Sequence, residues 1–78
     1  MESIEITARF DQQGTITPLK FTWKGSSQRV VSTGRRWEDE SGLHILVMVS
    51  SGRIYELIYK SGEGCWYIGR TEPDRPMV

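Results

Sequence analysis

The sequence predicts an all-β domain: a six-stranded antiparallel meander curled into a small, partly open, SH3-like barrel. Three observations lead there. First, seven Ile, five Val and six Thr, with eight aromatics, stand against one Ala and four Leu. Branched and aromatic side chains suit a pleated surface, while the scarcity of Ala and Leu starves a helix. Second, apolar residues recur at every other position in several segments, the period of a half-buried strand. Third, glycine-containing turns interrupt the apolar runs at short, regular spacing.

The elements follow in order. In residues 4–11, Ile4, Ile6, Ala8 and Phe10 alternate with Glu5, Thr7, Arg9 and Asp11, and a loop ending in Gly14 closes the hairpin. In residues 15–24, Leu19, Phe21 and Trp23 share a face, with Ile16 in the opposite phase. Pro18 between them cannot donate to a ladder, which predicts a bulge or an edge. Residues 28–38 form a third strand with Val31, Thr33, Arg35 and Trp37 on one side and Val30 and Ser32 on the other. Gly34 in its middle predicts a bulge or a sharp bend. Residues 43–49 are apolar except for His44, as expected of a central strand covered on both faces. Residues 53–60 place Tyr55, Leu57 and Tyr59 opposite Ile54, Glu56 and Ile58, and residues 65–71 are the last strand. Residues 1–71 thus form one domain, and 72–78, with two prolines and no pattern, a flexible tail.

Short loops between successive strands imply antiparallel neighbours. An open sheet would leave an apolar face and two edges exposed, so curling the sheet on itself is the favoured solution for so short a chain. A flat meander dimerised through its apolar face is the alternative.

The chain has 78 residues, with ten basic side chains balancing ten acidic ones. There is no apolar run long enough to span a membrane, and residues 1–10 lack the basic start and apolar stretch of a secretory leader. One cysteine precludes an internal disulfide and a cysteine-rich zinc site, and the expected location is the cytoplasm.

Little in the sequence suggests catalysis. Cys65 and His44 are the only thiol and imidazole, and they fall on the fourth and sixth strands, where a nucleophile–base pair is not expected. Cys65, just before Trp66-Tyr67-Ile68, reads as a small buried hydrophobe, and His44 as a strand-end surface or capped histidine. Glu38, Asp39 and Glu40 read as a solvated turn, because acid–base work needs carboxylates in unlike environments. No phosphate-binding glycine loop is present. The chain is expected to be no enzyme and to carry no cofactor or metal.

The more informative set is aromatic and basic. Arg35, Arg36 and Trp37 lie together, Arg53 opens the fifth strand, Arg70 ends the sixth, and Trp23 and Trp66 complete three indoles. Trp and Arg dominate protein-binding hot spots, and both also serve base stacking and phosphate contact. The same aromatics also suffice to fill a small barrel, with arginine stems covering their edges. Zero net charge favours a protein partner, since nucleic-acid affinity grows with phosphates neutralised. The expected function is a non-catalytic interaction module for a protein partner, acting as a monomer or weak homodimer. Nucleic-acid binding through the Arg/Trp surface is the alternative. Strand addition at an exposed edge, with the Pro18 strand as candidate, is a second binding route.

Trp23-Lys24-Gly25, then Arg29-Val30-Val31, then Arg36-Trp37, then Gly52-Arg53-Ile54-Tyr55-Glu56-Leu57, then Trp66-Tyr67-Ile68-Gly69-Arg70 form a pattern. It resembles a family of small bacterial all-β proteins of unknown function. It is also similar to a segment near the C terminus of polymerase-like subunits of translesion-synthesis machinery. The likeness spans Leu19 to Arg70. It implies an accessory module in a DNA-repair setting and carries over no catalytic residue.

Overall fold

The structure, a computed structural model, describes residues 2–72. It contains six strands: β1 (Glu2–Phe10), β2 (Ile16–Trp23), β3 (Ser26–Asp39), β4 (Gly42–Val49), β5 (Ile54–Lys60) and β6 (Cys65–Glu72). Each pairs antiparallel with its neighbours in sequence, and β6 returns to β1, closing a barrel. The expected all-β meander is therefore the fold, and closure leaves no open apolar sheet face of the kind a flat dimer would need. The backbone of Glu72 still belongs to β6. Residues 73–78, the rest of the expected tail, lie outside the described residues.

The core lies inside the ring. Phe21, Ile45, Val47, Val49, Tyr55, Leu57, Trp66 and Ile68 are buried together, and Ile4, Ile6, Ala8, Ile16 and Val30 pack against them. On β5 the inward residues Tyr55 and Leu57 are those of the predicted alternation, and on β4 the run expected to be covered on both faces turns Ile45, Val47 and Val49 inward. Phe21 and Tyr55 meet edge to face, 5.1 Å between ring centres, the arrangement that aligns ring edge with ring face.

Bulges reset that alternation at four places, and they explain where the sequence reading slips. In β2, Lys20 pairs with Thr7 and Pro18 with Ala8, leaving Leu19 as the extra residue. Leu19 is therefore exposed, not on the Phe21 face, while Pro18 and Ile16 turn inward. In β3, Val31 is the extra residue between Val30 and Ser32, and Gly34 and Arg35 together oppose Leu46. The expected single face of Val31, Thr33, Arg35 and Trp37 is broken accordingly, and Val31 stands exposed. In β6, Glu56 pairs with Arg70 and Leu57 with Ile68, so Gly69 is the extra residue. Such insertions bend a strand and sharpen its twist, which lets six short strands close.

The long strand β3 serves two neighbours in turn. Ser26–Arg29 pair with β2, and Val30–Asp39 pair with β4. Where β2 and β3 part, the Arg36 guanidinium donates a 2.6 Å hydrogen bond to the Ile16 carbonyl. That bond satisfies one carbonyl on the free side of the Pro18 strand.

The candidate site on the outer face

Inward residues of β4 alternate with His44, Leu46 and Met48, and those of β5 with Ile54, Glu56 and Ile58. These second sets lie on the outside of the barrel. Cross-strand pairing aligns them in rows: Trp37–His44–Ile58–Tyr67 in one, Leu46–Glu56–Arg70 in the next. Outward residues of a small barrel ordinarily meet water. Here His44 is 6%, Glu56 8% and Ile58 3% exposed.

A linear chain of alternating charge runs through this face. The His44 Nδ1–H donates to Glu56 Oε2 at 2.5 Å, and Nε2–H donates to Asp39 Oδ1 at 2.9 Å. The second Glu56 oxygen accepts a 3.1 Å bond from Arg70 Nε. With a carboxylate at each ring nitrogen, the imidazolium satisfies the geometry, since only it donates from both. Burial opposes the charged ring, but the hydrogen bonds to Glu56 and Asp39 outweigh it, and the His44 pKa is raised. Asp39 is held below the usual carboxylate range by His44 and by the Ser41 backbone N–H. Gly69 makes the chain sterically possible. A Cβ there would stand 3.0 Å from the Glu56 carboxyl carbon and from the Ile58 methyl.

This corrects two expectations. His44 is neither a surface nor a merely capped residue but a buried, doubly bonded one. Asp39 leaves the supposedly uniform acidic turn to serve it. The residues that sequence reasoning missed, His44, Asp39 and Glu56, carry one signal in retrospect. Glu56 and His44 are each the lone acidic or basic side chain inside a largely apolar stretch, 54–59 and 43–49.

The imidazolium supports an indole. Trp37 stacks on His44 at 4.9 Å and 13°, and the Arg35 guanidinium lies 5.2 Å from the Trp37 ring centre. Two cations against one indole fix its plane on the surface. Beside it, Ser32, Gly34, Arg35, Leu46, Met48 and Ile54 line an apolar groove of about 200 Å³. Gly34 keeps its floor low, with Leu46 backbone oxygen 3.7 Å from where a Cβ would sit. Met48 is 38% exposed there, so the outer side of β4 is not covered as its apolar run suggests.

The seven residues expected to share a binding surface do not. Arg35 and Trp37 are together, and Arg70 is linked to them through Glu56 and His44. Arg36 points to the β2–β3 parting, because the bulge at Gly34 turns it away from its neighbours. Trp66 is buried in the core and Trp23 packs against it, because both alternate inward. Arg53 is exposed where the β4–β5 turn meets β5. Cys65, expected to be buried, is exposed at the start of β6, its thiol 3.5 Å from the Glu63 carbonyl. Strand β5 separates it from His44.

Both His44 nitrogens are occupied by carboxylates, so the ring has no free lone pair for a metal or a substrate proton. Among the described residues, no cluster of three or more His, Cys, Asp or Glu side chains could hold a metal ion. Among the described residues, no helix is long and apolar enough to cross a membrane. The fold and face define a small closed antiparallel β-barrel with a braced aromatic surface. No protein-family model, no curated protein and no solved structure matches the chain.

Proposed function

We propose that the chain is a non-catalytic interaction module that binds a protein partner through the outer face of β3–β6. The observation that carries this reading is the Trp37 indole, stacked on His44 and in contact with Arg35, which also lines the Leu46–Met48–Ile54 groove. A rigid aromatic next to an apolar recess, rimmed by arginine, is the composition of a protein hot spot. The dispersal of the arginines weighs against nucleic acid. Arg36 and Arg70 already have partners within the chain, and Glu38, Asp39 and Glu40 follow Trp37 directly. A DNA-repair setting for the partner is part of the proposal and rests only on the resemblance drawn from the sequence pattern of residues 19–70.

The test is affinity capture with the wild type and with Met48→Asp, followed by rebinding of the captured protein in purified form. A partner retained by the first and lost by the second, at equal thermal stability, supports the proposal. Titration with mixed-sequence DNA, followed by tryptophan fluorescence, supplies the opposing arm. Saturable quenching that weakens steeply with salt would overturn it in favour of nucleic acid.

A further inference from the structure

The barrel closes with very unequal ladders. Strand β1 pairs with β2 from Glu5 to Phe10, but with β6 only through Glu2, Ser3 and Ile4. Since β6 begins at Cys65 and Ile4 already faces Trp66, residues beyond Glu5 run past its start. Among the described residues, no other strand pairs with the second side of Ile6–Phe10. Alternate backbone N–H and C=O groups on that side have no ladder partner.

The parting is a cleft of about 590 Å³. One wall is the free side of β1, with Ile6, Ala8 and Phe10 directed at it, and the other is Gly64–Cys65. Trp66 and Tyr59 form an aromatic floor. Phe10 is 56% exposed and touches the molecule edge-on at Tyr59, 5.8 Å between ring centres.

We infer that this cleft receives an extended segment of a partner protein, which adds as a strand to the free side of Ile6–Phe10 and seats alternate apolar side chains on Trp66, Tyr59 and Phe10. An unpaired row of backbone donors and acceptors is matched by another extended backbone, and the apolar floor sets a side-chain period of two. The span, five residues from Ile6 to Phe10, is about 17 Å of ladder. A second copy of the chain fits poorly. Its own β1 carries a sheet behind it and a Gly64–Cys65 wall beside it, so two-fold pairing brings wall against wall. A single extended chain has neither.

The inference rests on the protein-binding function proposed above but names a different surface. Its test begins with a phage-displayed library of random twelve-residue peptides selected on the full chain, the best peptides then being synthesised. Cys65, the only cysteine and exposed on the cleft's lip, reports occupancy through its alkylation rate. Saturating peptide is expected to slow that rate about tenfold and to shift the amide resonances of Ile6–Phe10. N-methylation at alternate peptide positions, and Phe10→Lys in the protein, are each expected to weaken binding about tenfold, the equivalent of one lost ladder bond or anchor. Phe10 is exposed enough for its variant to fold, and a thermal melt checks this. Peptides that bind without affecting Cys65 or β1, and are lost in Met48→Asp, overturn the cleft and leave the outer-face proposal standing. Selection of no peptide overturns the cleft alone if affinity capture still yields a Met48-dependent partner. A concentration-dependent dimer that protects Cys65 overturns it in favour of a second copy.

Discussion

Replacing His44 with Leu tests whether the charge chain on the outer face holds the barrel together. The substitution keeps bulk against Trp37 and removes the cation between Asp39 and Glu56. Glu56 then keeps Arg70 on one oxygen and has nothing on the other, in a site 8% exposed. Breaking a fully buried ion pair costs about 3–5 kcal/mol. The surviving Arg70 bond reduces this to about 2–4 kcal/mol, against a total stability of about 4–12 kcal/mol for a chain of this length. In a thermal melt that is a fall of roughly 10–25 °C. Adding Glu56→Leu removes the stranded carboxylate, so the double variant is expected to regain about 2 kcal/mol over His44→Leu alone.

The pH dependence supplies a second arm. The His44 pKa is raised on folding, so its stabilising contribution is complete below the unfolded value of about 6.5 and is lost as pH rises through the folded value. Asp39 acts with opposite sign. Its contribution is present above its unfolded value of 3.8 and is lost as pH falls through the lowered folded one. Urea melts of the wild type therefore plateau between these limits, and the gap to His44→Leu narrows on the alkaline side. A double variant whose loss equals the sum of the singles, or a gap constant from pH 5.5 to 9, refutes the chain of coupled charges.

Gly42→Ala is expected to cost about 3 kcal/mol or more, since φ is +134° and the new methyl would overlap the Tyr59 carbonyl. Gly62→Ala, with open space around it, stays within about 0.5 kcal/mol by the same urea melt. Gly69→Ala pushes on Glu56 and Ile58, and nuclear magnetic resonance of the His44 ring should show its protonation shifting toward lower pH. Spectrophotometric titration should find the Tyr67 phenol ionising later than usual, because its O–H donates to Glu63, with Glu63→Gln bringing it back down.

The apolar run of β4 concealed its two faces, whereas the inward face of β5 was legible because no residue is inserted between Ile54 and Tyr59 in its pairing with β4. Alternation then maps directly onto inside and outside. Strands β2 and β3 were less so. Pro18 and Gly34 announce bulges, but which neighbour becomes the extra residue depends on the partner strand's register, which no local pattern contains. That is why Leu19 and Val31 surface against expectation. The site suffered more. Arg35 and Trp37 were found because aromatic and basic side chains are conspicuous. The support beneath them was hidden, because Asp39, His44 and Glu56 come from three elements and meet only through pairing. A carboxylate in an acidic turn looks solvated until the histidine opposite is placed.

The uneven seam also sets the order in which the molecule assembles. Five of its six ladders join strands adjacent in sequence, so each closes a short loop as it forms. The β1–β6 ladder joins segments about sixty residues apart, from Glu2–Ile4 to Trp66–Ile68. Closing so long a loop costs about 1.5 kcal/mol more than closing a hairpin, unless the intervening barrel has already brought the ends together. Zippering from β2 through β5 and shutting the ring last avoids most of that cost. With only three residue pairs to hold it, the last step to form is also the first to reverse. Opening the ring at this seam leaves in place the β3–β5 sheet that carries Trp37 and His44.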